Sequence, residues 1–173
     1  MPPPLRSTHP DATAALGRAL ARLLGPGDVV VLTGPLGAGK TRLVQGLAAG
    51  LDVPGRVTSP TFVLVRRHAG RLPLVHVDAY RLDDAADLAA LDDDVLAEDV
   101  VTCIEWGGNV AAALPADRLD VELAVDGEDG DAPRIVVISG HGATWHARAD
   151  ALDGLVDELV ETTGAIAPAE EAG

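Results

Sequence analysis

Gly34-Pro35-Leu36-Gly37-Ala38-Gly39-Lys40-Thr41 is the stretch on which the reading of this chain turns. Lys40 is the only lysine among 173 residues, and arginine carries all the remaining fixed positive charge. The pattern Gly-x-x-x-x-Gly-Lys-Ser/Thr is a phosphate-binding loop. By composition alone, a lysine would meet both glycines and the hydroxyl in about one placement in a thousand, so an accidental glycine-rich turn is the weaker explanation. The flanks agree. Asp28-Val29-Val30-Val31-Leu32-Thr33 is a β-branched run of strand length. On the other side Leu43, Val44 and Leu47 share a helical face, and Gly50 is a natural stop. In this strand–loop–helix unit the backbone N–H groups of residues 37–41 can wrap a phosphate, helped by the positive end of the helix dipole. Lys40 adds a compact point charge that the planar fork of arginine does not replace. The Thr41 hydroxyl is the expected Mg²⁺ ligand.

A phosphate loop of this kind needs a carboxylate at the end of a neighbouring strand. Two acids qualify. Asp78 ends Leu72-Pro73-Leu74-Val75-His76-Val77, and Glu105 ends Val100-Val101-Thr102-Cys103-Ile104. Burying either beside a sheet without a cation would be unfavourable. A strand-end turn explains one such acid, but less readily the pair together with the loop. Between helix and acids lies Val57-Thr58-Ser59-Pro60-Thr61-Phe62, three hydroxyls around a rigid proline. It reads either as a switch-like loop sensing a γ-phosphate or as an ordinary Ser-Pro turn. Trp106 follows Glu105 directly and either shields the site or packs the core. His76 reads as a strand residue satisfied by a hydrogen bond. His141 and His146 have no ligand spacing.

Composition bounds the rest. The length suits one domain with a real core, built from Ala, Leu and Val because aromatics make up only 2%. No apolar run reaches membrane-span length, and the Pro-rich start lacks a signal-peptide core, so a cytoplasmic protein is expected. The single cysteine, Cys103, excludes an internal disulfide and reads as a buried thiol. A net charge of −14 argues against strong nucleic-acid binding by this chain alone. The charge is uneven. Residues 55–81 carry Arg56, Arg66, Arg67, Arg71 and Arg81 against Asp78, whereas residues 83–99 carry eight acids and no base. The acidic run reads as a solvated face, and the basic one as either solvated or a phosphate or partner surface.

Residues 1–6 are expected to be a flexible start, 7–163 a single domain, and 164–173 a disordered acidic tail. Ser7 or Thr8 is expected to cap a first helix near Pro10. Residues 61–67 and 72–77 read as a hairpin, 83–99 as short acidic helices, and 100–105 as a buried strand. Residues 119–125 and 134–139 read as a late strand pair joined through a turn at 126–131. Thr144 is the expected cap of a last helix with the stripe Leu152, Leu155, Val156, Leu159 and Val160. One βα unit followed by several strands and few crossover helices implies an α/β P-loop NTPase fold, a single three-layer domain with a central mixed β-sheet.

Taken together and in order, residues 34–41, Val57-Thr58-Ser59-Pro60-Thr61-Phe62, His76-Val77-Asp78-Ala79-Tyr80-Arg81-Leu82 and Ile104-Glu105-Trp106 resemble the bacterial TsaE (YjeE) ATPases. That family takes part in forming threonylcarbamoyladenosine on tRNA. The likeness extends to about residue 139. It differs at Arg42, where the family often has a second Thr, and at Gly107-Gly108-Asn109. The resemblance implies ATP and Mg²⁺ as cofactors. It implies Lys40 on the phosphates, Thr41 on the metal, Asp78 as the Walker-B-like acid, and Glu105 as a metal-site or water-orienting acid beside Trp106. Thr58, Ser59 and Thr61 would form the switch-like loop. It further implies a weak ATPase working with a TsaB–TsaD pair, which would perform the transfer and hold the tRNA.

Two other functions compete. A small-molecule P-loop kinase would use Arg66, Arg67 and Arg71 as a phosphate lid, although residues 61–77 are short for one. A nucleotide-sensing adaptor would act by binding alone. Guanine recognition through Asn-Lys-x-Asp is excluded, because no second lysine exists.

Overall fold

A computed structural model describes residues 1–91, 94–127 and 132–169. In chain order the elements are β1 (Leu5–Ser7), α1 (Pro10–Leu20), β2 (Val29–Thr33), α2 (Lys40–Gly50), β3 (Val65–His68), β4 (Leu74–Asp78), α3 (Ala85–Ala89), β5 (Val101–Glu105), β6 (Arg118–Val125), β7 (Arg134–His141), α4 (Gly142–Ala147), α5 (Ala149–Thr163) and β8 (Ile166–Pro168). The strands form one eight-stranded sheet in the order β3-β4-β5-β2-β6-β7-β1-β8. β4, β5, β2 and β6 run parallel, and the remaining pairings are antiparallel. This is the mixed sheet that the sequence implied.

The continuous apolar run of β2 is explained by burial on both faces. Val30 and Leu32 join the larger core with Leu16 and Leu20 of α1, Leu43 and Leu47 of α2, and Leu152 and Leu155 of α5. Val29 and Val31 face a second core with Val75, Val77, Ile104 and Leu88 of α3. Each fully buried leucine contributes about 1.5–3 kcal/mol relative to exposure. The close approach of α1 to α2 requires Gly46, where an added Cβ would lie 1.9 Å from the Ala14 carbonyl oxygen. That contact fixes the axis of α2 and hence the position of Lys40 and Thr41 at its first turn.

Several local expectations are corrected. Residues 1–6 are not a loose start throughout: Leu5 is buried in β1, which pairs with both β7 and β8. Residues 164–173 likewise contribute β8, while 170–173 lie outside the described residues. Short strands at a sheet edge are held by partners distant in sequence, so local composition underrates them. The cap of α1 is His9, whose ring accepts from the Asp11 N–H, with Pro10 at the first helical position. Ser7 is in β1, and its hydroxyl pairs with Thr13. The hairpin is confined to β3 and β4, since residues 61–64 form a turn that ends at Leu64 with φ 64°. Only α3 forms a helix in the described part of the acidic stretch, capped by Asp84. Asp92, Asp93 and residues 128–131 of the late turn lie outside the described residues. Thr144 sits within α4 and donates to Asp117 rather than capping α5.

Candidate functional site

β4, β5 and β2 all end at one edge of the sheet. Parallel register places Asp78 opposite Glu105, and Glu105 opposite Leu32, one residue before the loop leaves β2. Open α/β sheets bind ligands outside the carboxyl ends of their parallel strands. Here that edge opens into a cleft of about 310 Å³ lined by Gly37, Lys40, Thr41, Asp78, Glu105 and Trp106, with Ser59 and Thr61 on its rim.

The loop conformation depends on glycine at two decisive points. Gly34 has φ 134°, and an added Cβ would sit 2.0 Å from the Leu123 carbonyl oxygen. Gly39, at φ 102°, turns the chain into α2. Pro35, Leu36 and Ala38 fill the turn between them, with Ala38 buried and Leu36 exposed.

Lys40 is buried. Its ammonium donates to the Gly34 and Pro35 carbonyl oxygens at 2.6 and 2.8 Å, and lies 3.7 Å from the centre of the Trp106 ring. Burial pushes its pKa below that of an ordinary lysine, while Glu105 and Asp78 pull in the opposite direction. The ammonium is therefore held at the cleft by carbonyl dipoles and a ring face, with no direct salt bridge to either acid.

The two acids have different surroundings. Thr41 Oγ1 lies 3.0 Å from both Glu105 oxygens and donates to them, and His76 Nε2 lies 2.8 Å from Glu105 Oε1. Asp78 Oδ2 accepts from Ser59 at 2.9 Å and Thr61 at 2.8 Å, and Oδ1 accepts from the Tyr80 N–H. Ser59 and Thr61 thus latch their loop to Asp78. Thr58 does not join them: it is exposed, lies outside the cleft lining, and accepts from Arg66. A hydroxyl and a carboxylate in contact, with a second carboxylate one strand away, is a donor set suited to a hard cation that keeps most of its waters.

Trp106 borders the cleft and also packs on the core. Its ring covers Lys40 and meets the Tyr80 ring at 5.0 Å, while its inner side packs on the second core. It adopts φ 62°, a left-handed conformation uncommon for a bulky residue and one that collects at functional positions. Sequence reasoning missed the His76–Glu105 contact. The alternation of β4, which places His76 on the same face as Asp78, is the signal that could have found it.

The arginines of residues 55–81 do not gather over the cleft. Arg71 donates to the Ala21 and Gly50 carbonyls, and Arg67 pairs with Asp94. Arg66 donates to Thr58 of the hydroxyl loop, and Arg81 lies over the Phe62 ring at its end. Cys103 is fully buried on β5, and its thiol is held well above its ordinary pKa by burial.

A glycine loop joining a central parallel strand to a helix, with acids ending the next two strands on one side, β5 and β4, defines a P-loop NTPase-type fold. The profile of the family described as threonylcarbamoyl adenosine biosynthesis protein TsaE matches residues 7–134, and the chain belongs to that family. Among its relatives, a tRNA threonylcarbamoyladenosine biosynthesis protein TsaE from Streptomyces coelicolor is 49% identical over 137 residues, covering 75% of this chain and 91% of the relative. The protein of the same name from Bacillus subtilis is 37% identical over 125 residues, covering 72% and 78%. The crystal structure of YdiB from Bacillus subtilis superposes with a TM-score of 0.69 at 29% identity, covering 91% of this chain and 93% of that one. No helix among the described residues is long and apolar enough to cross a membrane.

Proposed function

We propose that this chain is a Mg²⁺-dependent, weakly hydrolysing ATPase that supports threonylcarbamoyladenosine formation on tRNA together with a TsaB–TsaD-like pair. The observation that carries this reading is the convergence of Lys40, Thr41, Asp78 and Glu105, from three separate parts of the sequence, on one cleft at the carboxyl edge of the parallel strands. Family membership supports the pathway, and the geometry supports the chemistry.

The phosphates of ATP would lie on the N–H groups of residues 37–41, with the Lys40 ammonium turning from its carbonyl partners to their oxygens. A second pocket of about 210 Å³, lined by Thr8, His9, Pro10, Thr13 and Arg134, adjoins the loop at Gly37 and Gly39. It would receive the base and ribose. Thr41 and Glu105, with Asp78, would hold Mg²⁺, which neutralises charge on the phosphate oxygens. Glu105 would also orient the attacking water, and Ser59 and Thr61 would respond to the terminal phosphate by exchanging their bonds to Asp78.

Dependence on a partner is supported by the rim of the cleft. Leu36, which lines the cleft, is 89% exposed; Phe62, next to Thr61 of the latch, is 87% exposed, and Tyr80, against the Trp106 ring, is largely exposed too. Apolar residues clustered around a site are characteristic of protein docking. The kinase alternative loses support, because Arg67 and Arg71 are committed elsewhere. A net charge of −14 suits this arrangement, in which the tRNA would be held by the partners.

The test is co-purification and reconstitution. With ATP and Mg²⁺ present, the protein is expected to bind a TsaB–TsaD pair and sustain tRNA modification, and Lys40→Ala is expected to abolish the support. Full modification by that variant would refute the reading.

A further inference from the structure

We infer that His76 is a positioning residue for ATP hydrolysis: a buried imidazole that fixes the orientation of the Glu105 carboxylate. This rests on the hydrolytic reading of the cleft and adds to it a residue that touches neither nucleotide nor metal.

His76 is completely buried in the middle of β4, on the same sheet face as Asp78 and Glu105. Its backbone stands opposite Cys103, so its side chain reaches diagonally along the parallel ladder to Glu105 Oε1 at 2.8 Å. Because a carboxylate accepts, Nε2 carries the proton and donates. Nδ1 is then a buried acceptor without a partner among the described residues. His68 Nε2, on the neighbouring strand β3, is a second buried ring nitrogen without one. Register places His68 opposite Leu74, diagonal to His76 on the same face. Unpaired buried polar atoms are costly, and a core made only for stability would have an aliphatic residue at position 76. The benefit of the histidine is its one directed bond.

That bond acts on a carboxylate with few other constraints. Glu105 is otherwise held by Thr41 Oγ1, which lies equally far from both oxygens and so does not select a rotation of the group. His76 supplies the asymmetry: it pins Oε1 at 2.8 Å, while Oε2 has only the Thr41 contact among the hydrogen bonds of the described residues. Outer groups that orient catalytic or metal-binding carboxylates typically change activity by about 10–100-fold when removed.

The experiment measures ATP turnover and ATP affinity separately, with Mg²⁺ and the intact chain. His76→Leu is expected to lower turnover about 10–100-fold while the Kd for ATP stays within about threefold. His76→Gln, which keeps an N–H donor of similar reach, is expected to restore turnover to within about threefold of wild type. In a Glu105→Ala background, His76→Leu is expected to add almost nothing, since residues acting as a unit are non-additive. Equal losses in the Leu and Gln variants, or a full His76→Leu penalty in the Glu105→Ala background, would overturn the inference. Wild-type turnover in His76→Leu would overturn it alone and leave the ATPase reading standing. An absence of ATP turnover in the wild-type protein with its partners would overturn both.

Discussion

The two halves of the sheet carry similar side chains and put them to different use. In the β4–β5–β2 half, parallel strands end together, so the buried acids Asp78 and Glu105 share one edge with the glycine loop. In the β6–β7–β1–β8 half, strands alternate in direction and their polar residues are spread over both ends. There Asp120 pairs with Arg118 and His141, and Asp126 with Arg6, in the partly solvated manner of surface ion pairs. Asp78 and Glu105 are buried in the cleft at the ends of parallel strands, whereas Asp120 and Asp126 are partly solvated partners in ion pairs. Topology, more than residue type, separates site from scaffold.

Substitutions in each half should therefore affect different measurements. The largest effect is expected from Lys40→Ala, which should reduce ATP turnover by about 10²–10³-fold, the usual consequence of removing a preorganised charge from a phosphoryl site. Its thermal unfolding should change little, because a buried ammonium costs desolvation. Next comes Leu5→Ala in β1, where a fully buried side chain is lost. Its expected cost is about 2–5 kcal/mol of stability by denaturant titration, with ATP affinity unchanged below the transition. Asp120→Ala should cost under about 1 kcal/mol and leave turnover intact. Turnover loss in that variant would erase the contrast between the halves.

The smallest effect concerns pH. Asp117 has a pKa held below the ordinary aspartate value, chiefly by the Thr144 hydroxyl. Because the folded pKa is the lower one, the folded state binds fewer protons at mildly acid pH. The stabilisation is present above the unfolded value of 3.8 and is lost as pH falls through the folded pKa. Thr144→Val should return the Asp117 titration, followed by NMR, toward 3.8. An unchanged titration would show that the hydroxyl is not the cause.

The contrast also explains what was legible in the sequence. The phosphate loop, both acids and the strand–loop–helix order could be read because each has a local signature of glycine spacing, β-branched run and terminal carboxylate. The latch of Ser59 and Thr61 on Asp78 joins residues 19 and 17 positions apart, and His76 reaches Glu105 across 29. Such contacts follow from strand order, which no local pattern specifies. β1 and β8 were missed for the same reason: three residues each, beside prolines, with all their pairing supplied by distant strands. The cap of α1 went to His9 instead of a hydroxyl because Ser7 was drawn into β1.

The central claim is that the acid-lined edge turns over ATP and that this turnover drives repeated rounds of tRNA modification. Glu105→Ala tests it most directly, in a reconstituted system with a TsaB–TsaD pair, tRNA, ATP and the threonylcarbamoyl donor. The expected variant still binds ATP, hydrolyses it at only a residual rate, and leaves modification stalled after the first round. Sustained multiple-round modification by a non-hydrolysing Glu105→Ala protein would contradict it and assign the chain a role through nucleotide binding alone.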